Sequence, residues 1–432
     1  SSPRYDAARK IWNGMWDDKR PALIAQCADT SDVVNAVNFA RTHDLLVAVR
    51  GGGHSISGKS VCDGGIVIDL SLMRSVYVDP VAQTASVEGG AHLHDMDRET
   101  QAYGLVCPAG VVSHTGVAGL TLGGGIGVLM RRFGLSIDNL ESVEIVTADG
   151  ELRFADKHEN PDLFWGVRGG GGNFGVVTRF NYRLHKFGPK VLAAAVLYPD
   201  NQAKDMFNHY YDVSENSPRL LHSFAGMSIR ESGTALNMLG FTYLGDIEDG
   251  QKVLEPLLKM GKPTATFMQP TNYVEMQSRG DAHNAHGRSY YIKGRHLNDY
   301  NPVMTDDILE RWQHDPRRLN TMRVVRFGGA VADIPKDATP WTHRDTVWDI
   351  EVGASWENPE DSPEFVDWGR DYWGAVDPYT AESFYVNEIM DEDQGKVAIS
   401  YQDNYPRLVQ VKNKYDPKNL FRLNANIKPS AT

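Results

Sequence analysis

Apolar and polar positions change period every few residues in the first 190 positions of the chain. An apolar run at 21–26 reads as a strand. Residues 32–42 carry Val33, Val37 and Ala40 on one helical face, with Thr30 or Ser31 as the expected cap. Strands follow at 45–49 and 65–70. The stretch 93–103 has helical spacing and stops at Gly104, a residue suited to the turn after a helix. Residues 143–147 run into Ala148-Asp149-Gly150, a hairpin signal, and 176–184 alternates as a strand. Past residue 190 the texture changes. Alternating stretches lengthen at 191–198, 235–243, 322–331, 347–354 and 383–388, with helical spacing between them at 201–213, 247–260, 306–314 and 363–373. The pattern predicts an α+β protein whose second half is a large antiparallel sheet backed by helices. The tail, 405–427, opens as a helix that Tyr415-Asp416-Pro417 ends.

Glycine alters this picture most. Of 41 glycines in 432 residues, 24 fall between Gly51 and Gly175, which marks backbone that must adopt positive φ or approach a ligand closely. A phosphate or dinucleotide cradle in the first half is the expectation. The net charge of −12 argues against a nucleic-acid partner, since phosphate contacts need clustered Lys and Arg. No apolar run approaches the ~20 residues of a membrane span. The length suits two or three domains of ~150 residues, and 41% hydrophobic with 23% charged residues is a globular composition. Cys27, Cys62 and Cys107 are too few and too scattered for a disulfide framework or a metal site, so free buried thiols are expected. The chain begins at Ser1, which leaves a removed leader open. The absence of any permissive Asn-x-Ser/Thr site favours a cytoplasmic location.

Two motifs in the glycine-dense stretch mislead. Gly53-His-Ser-Ile-Ser-Gly58-Lys59-Ser60 fits the P-loop letters, but that mechanism needs a helix starting at Lys59. Asp63-Gly64-Gly65 interrupts at once and a strand begins at Ile66, too soon for a crossover helix. Gly170-x-Gly172-x-x-Gly175 fits the Rossmann letters, yet a strand follows where the fingerprint must open a helix. With both cradles set aside, three loops remain around one ligand: 51–53, 116–127 and 169–175. Consecutive backbone N–H groups in such turns hold a pyrophosphate without a helix dipole.

The motif set resembles a known family. Arg50-Gly-Gly-Gly-His54-Ser55, Val61–Ser71, Pro108-Ala-Gly110, Gly116-Val-Ala-Gly119, Gly123-Gly-Gly125-Ile-Gly127, Phe133–Asn139 and Asn173-Phe-Gly-Val-Val177-Thr178 are similar to the FAD-binding half of vanillyl-alcohol-oxidase (PCMH-type) flavoproteins, in the berberine-bridge-enzyme-like subgroup. Asn404-Tyr-Pro-Arg-Leu and Lys414-Tyr-Asp-Pro-Lys-Asn-Leu-Phe-Arg-Leu-Asn-Ala-Asn-Ile427 resemble its C-terminal signature. The resemblance implies a two-domain PCMH-type FAD-binding fold, with residues 1–190 plus 395–432 as the FAD domain and 191–394 as the substrate domain. It implies FAD held by Arg50, Gly51, Gly52, Gly53, Ser55, Gly110, Thr115, Gly116, Gly119, Gly123, Gly124, Gly127, Val177, Asn387 and Asn424. His54 is expected to be bonded to the flavin 8-methyl carbon. Many relatives add a cysteine link, but Val112 stands in that place, so a single bond through His54 is expected and Cys107 is a small buried hydrophobe. Thr115 lies near the position that gates oxygen access in relatives.

Hydride transfer from an alcohol or amine carbon needs a base for the departing proton. Relatives often use the last tyrosine of Tyr-x-Asn-Tyr. This chain reads Tyr385-Val-Asn387-Glu388, so Glu388 takes that tyrosine's place, although strand alternation would turn it away from Tyr385 and Asn387. Asp349 and Glu351 share one face of their strand, toward either flavin or solvent. Asp281, His283 and His286 lie between Gly280 and Gly287 and read as a solvated loop without a metal. The resemblance implies an oxidase in which the substrate gives hydride to flavin N5 and O2 reoxidises the flavin to yield H2O2. The alternatives are a flavin dehydrogenase with another acceptor, a P-loop phosphotransferase, and a flavin-binding protein with a dead substrate site. The expected partners are a small-molecule substrate and O2, with no nucleic acid or membrane, in a monomer or homodimer.

Overall fold

The computed structural model describes residues 4–230 and 232–430. Three large sheets and one two-stranded pair, Leu105–Val106 with His185–Lys186, organise them. Leu23–Gln26, Ile66–Asp69 and Val47–Arg50 form a parallel sheet in that spatial order, covered by the helix Thr30–Thr42. Asp29, rather than Thr30 or Ser31, caps this helix: its carboxylate accepts from the N–H of Asp32 at 3.0 Å. A five-stranded antiparallel sheet runs Val76–Asp79, Thr84–Glu88, Gly175–Arg183, Leu140–Thr147, Leu152–Asp156. The turn at Ala148-Asp149-Gly150 does join a hairpin. Gly175 begins a strand and no helix starts at Lys59, whose ammonium pairs with Asp391, so neither the Rossmann nor the P-loop geometry forms.

The largest sheet has seven strands, all antiparallel, in the order Ala265–Asn272, Lys190–Tyr198, Ala235–Tyr243, Leu221–Ile229, Thr321–Arg326, Trp348–Trp356, Ser289–Leu297. Alternation gives it two unlike faces. Leu239, Phe241, Val324, Ile350 and Val352 point one way and pack against Met206, Phe207 and Tyr210 of the helix Ala203–Glu215 and Phe365, Trp368 and Tyr372 of Ser362–Trp373. The other face carries Ala193, Ala195, Phe224, Gly240, Arg323, Glu351 and Gly353, and walls a cleft.

Two expected strands are corrected. The strand expected over 322–331 stops at Arg326, because Gly328 and Gly329 take φ of +86° and +64°. No strand forms at 383–388; Val386–Glu388 is one turn of 3₁₀ helix.

The tail closes the fold. Lys412, on the helix Tyr405–Tyr415, is fully buried and donates to Asp416 at 2.7 Å, to the carbonyl of Asn173 at 2.8 Å and to that of Phe421 at 2.9 Å. Asp416 accepts in turn from the backbone N–H groups of Leu420 and Phe421. Asn173 bonds the carbonyls of Gly170 and Ala425 and accepts from Ile427 N–H, so the tail and the 169–175 glycine loop fix each other. Removing one partner of a buried pair strands the other charge. Lys412→Ala should therefore cost about 3–5 kcal/mol of stability, read from urea or thermal denaturation; a loss under about 1 kcal/mol would show the pair to be incidental.

Candidate active site

The cleft between the small sheets' glycine loops and the seven-stranded sheet has a volume of about 1490 Å³. Its loop side is backbone. Beyond the strand Val47–Arg50 the chain runs through Gly51 and Gly52 to Gly53 at φ +70°. A methyl group on Gly52 would collide with the backbone of Gly116, and one on Gly116 with that of Gly52. Gly119 and Gly172 face open space, with nothing within 4 Å of an added Cβ. Gly51, Gly52, Gly53, Ser55, Gly110, Thr115, Gly116, Gly119, Gly127, Val177, Asn387 and Asn424 all line the cleft.

Three expected cofactor residues are turned elsewhere. The Arg50 guanidinium is committed to Asp69 at 2.7 Å and to the Lys10 carbonyl at 3.1 Å, and borders an adjoining pocket of about 490 Å³ that shares Trp12 and Gly51, Gly52 and Gly53 with the cleft. Gly123 makes room for the Asn387 carboxamide, which a Cβ there would overlap. Gly124, at φ +139°, lies against Trp341 and Tyr385. These two glycines are required by packing behind the cleft wall.

His54 lies at the loop's end. Trp12 stacks on it with ring centroids 4.5 Å apart, and its Nε2 sits 2.6 Å from Nδ1 of His114. Burial holds its pKa well below the imidazole value, helped by His114 and His286. The imidazole is therefore neutral. The segment 281–287 that carries His286 is largely exposed, as expected, but it is tied to the site. Asp281 accepts from the N–H and hydroxyl of Ser113 at 2.9 and 2.6 Å, and Trp12 donates to the Asn284 carbonyl at 2.7 Å, which draws His286 over His54 and His114.

Carboxylates gather on the sheet side. Asp349 and Glu351 project from the cleft-facing side of Trp348–Trp356, and Glu351 pairs with Arg323, its partner in register, at 3.0 Å. Glu388 joins them because one 3₁₀ turn returns the chain after about three residues. Tyr385 and Glu388 thus both line the cleft, which strand alternation would forbid. Gly294 permits this arrangement, since a Cβ there would overlap a Glu388 oxygen. The Tyr385 hydroxyl accepts from Gly125 N–H at 3.1 Å and from Asn387 Nδ2 at 2.7 Å; Asn387 Nδ2 also donates to the Leu120 carbonyl at 3.1 Å. Burial raises the Glu388 pKa far above the carboxylate range, with Asp349 and Glu351 adding to the rise. Burial pushes Asp349 up to about 8 against the pull of Arg323 and Arg295. Behind Asp349, His296 Nδ1 lies 3.4 Å away, on a ring that burial keeps neutral.

Arg323, His114 and Trp12 were missed in the sequence. Arg323 alternates correctly for the cleft face, yet nothing in one strand names its partner across the sheet. His114 lies inside the stretch that resembles the family, but no spacing links it to residue 54.

A glycine-walled cleft closed by a broad antiparallel sheet is the build of an FAD-linked oxidoreductase of the PCMH type. Residues 21–156 match the family model described as FAD binding domain, and 384–428 that described as berberine and berberine like. An FAD-linked oxidoreductase of Dictyostelium discoideum is 34% identical over 413 residues, 95% of this chain and 89% of that protein. The structure of 6-hydroxy-D-nicotine oxidase from Arthrobacter nicotinovorans superposes with a TM-score of 0.90 at 28% identity, covering 100% of this chain and 97% of that one. Glucooligosaccharide oxidase from Acremonium strictum, which carries a 6-S-cysteinyl, 8α-N1-histidyl FAD, shares the fold with a TM-score of 0.90 at 24% identity, covering 100% and 96%. The chain belongs to the berberine-bridge-enzyme-like family of FAD-linked oxidoreductases. Its residues fit the cofactor: the backbone walls leave a long slot, and the carboxamide oxygens of Asn424 and Asn426 are buried without partners.

The raised Asp349 pKa sets a stability window. Its proton stabilises the fold fully below the unfolded value of ~3.9, and that contribution is lost as pH rises through about 8. Asp349→Asn should thus show a shallower fall in melting temperature between pH 6 and 9 than the native protein. Equal slopes would refute the buried, protonated state.

Proposed function

We propose that the protein is an FAD-dependent oxidase of a small organic substrate, with FAD attached through His54 alone and Glu388 as the proton acceptor. The observation that carries this reading is the gathering of Glu388 and Glu351 on the cleft wall opposite the glycine loops, with buried Asp349 on the same sheet face as Glu351. Bound FAD supplies the two-electron acceptor for a substrate hydride and passes the electrons to O2. In this reading residues 1–190 and 395–432 form the FAD domain and 191–394 the substrate domain.

The protein's own groups do the rest. A neutral imidazole is the nucleophilic form, and burial keeps His54 in that form. Val112 lines the cleft where relatives carry a second-link cysteine, while Cys27, Cys62 and Cys107 are free and buried. Both facts support a single link. Glu388 and Asp349 are too dry and repel each other too strongly to ionise together, so once the pH passes about 8 the pair keeps one proton and its ionised oxygen accepts the one the substrate releases. Arg323 holds Glu351 and limits the charge of the group. Tyr385, fixed by Gly125 and Asn387, orients the substrate beside Glu388. With Glu351 held by Arg323, the one negative charge of the ionised Glu388–Asp349 pair favours a basic amine over a neutral sugar. Thr115 borders the slot, consistent with access for O2.

The test is anaerobic bleaching of the bound flavin by a panel of amines and alcohols. Reduction by an amine is expected, and Glu388→Gln should slow it by about 10²–10⁴-fold with the flavin still bound. Equal rates in the two proteins would remove Glu388 from the role of base. No bleaching by any compound would favour a flavin-binding protein with a dead site.

A further inference from the structure

The histidines around His54 form a group that flavin chemistry alone does not require. His54, His114 and His286 each offer a ring nitrogen, and these atoms lie within 4.8 Å of one another. The nearest pair, His54 Nε2 and His114 Nδ1, is 2.6 Å apart, and the three ring centroids are separated by 4.8, 4.8 and 5.7 Å. We propose that His54, His114 and His286 form a binding site for a borderline divalent transition-metal ion such as Zn²⁺.

Three imidazoles and a water make a tetrahedral shell with Zn–N distances of ~2.0–2.1 Å, which puts the nitrogens about 3.3 Å apart. His54 and His114 therefore open by less than ~1 Å and His286 closes inward by a little more. His286 is exposed and can turn on its own side-chain bonds, whereas His54 is held by Trp12. The backbone is already braced for this: Asp281 grips Ser113, the residue before His114, and Asn284 accepts from Trp12. A metal needs neutral imidazoles. With Nδ1 of His54 given to the flavin, its Nε2 keeps a lone pair for the metal, and the hydrogen of the His54–His114 contact moves from Nδ1 to Nε2 of His114 as Nδ1 takes the ion. A second group, His92, His94 and Asp95, is a weaker candidate, because Arg74 already neutralises Asp95 at 2.7 Å. The ion ties the segment around His286 across the loop that carries His54.

The test is calorimetric titration of the purified flavoprotein with Zn²⁺ after chelator treatment and removal of the chelator, with Ca²⁺ as the oxygen-preferring control. One Zn²⁺ per chain is expected, and no Ca²⁺. His286→Ala and His114→Ala should each weaken Zn²⁺ binding by at least the ~10–100-fold that loss of a mere outer partner costs. His283→Ala, an exposed neighbour on the same segment, should leave it unchanged. His286 is at the surface, so its replacement does not endanger folding. Absence of saturable Zn²⁺ binding, or binding that survives both His114→Ala and His286→Ala, overturns the proposal. The readout is heat of binding, so a negative result leaves the colour and reduction of the flavin, and hence the oxidase reading, untouched.

Discussion

Two backbone segments meet where no side chain fits. Gly52 and Gly116 come from loops 64 positions apart in sequence, and either one as alanine would drive a methyl group into the other's backbone. That contact sets the depth of the cleft. It brings His114 beside His54, leaves peptide groups rather than side chains along the wall, and seats the helix Val117–Gly123 on the segment that bears Asn387. The third glycine loop, 169–175, joins the second by a hydrogen bond from Gly171 N–H to the Leu122 carbonyl at 2.8 Å and is locked from behind by Lys412, Asp416 and Asn173. One wall of the site is thus built from close approach, and its stability is supplied by the tail.

The opposite wall has the contrary chemistry. The seven-stranded sheet gives many of its apolar side chains to the helices and turns small residues, Phe224, Met238 and Val325, Arg323 and two carboxylates, Glu351 joined by the nearby Glu388, toward the cleft. Burying these acids costs free energy that the fold recovers elsewhere, and the cost appears as raised pKa values at Asp349 and Glu388. Such a pair is poised to exchange a proton near neutral pH, which two solvated carboxylates could not do.

Much of this was legible in the sequence. The glycine loops, the rejection of both phosphate motifs and the sheet backed by helices follow from period and from what succeeds each glycine run. Val76–Asp79 and Thr84–Glu88 of the five-stranded sheet were not, nor were three strands of the seven-stranded one. Leu221–Ile229 interleaves His, Ser and Gly on its cleft face, so it lacks a clean alternation. Ala265–Asn272 is an edge strand, largely exposed and containing Pro270. Ser289–Leu297 buries Lys293 and Arg295, which only their partners Glu392, Asp393 and Asp377 make tolerable. The place of Glu388 escapes the sequence for a related reason: alternation along a strand turns it away, and one 3₁₀ turn reverses the face. Facing across a sheet, as between Arg323 and Glu351, is a property of register between strands that a single chain's pattern does not encode.

The central claim is that the glycine loops and His54 form one FAD cradle with a single covalent anchor. Mass spectrometry of proteolytic peptides from acid-denatured protein tests it most directly. The account predicts one flavin-bearing peptide, the one containing His54, and unmodified peptides containing Cys107 and Val112. Release of all the yellow colour on denaturation, or flavin on any other residue, would contradict it.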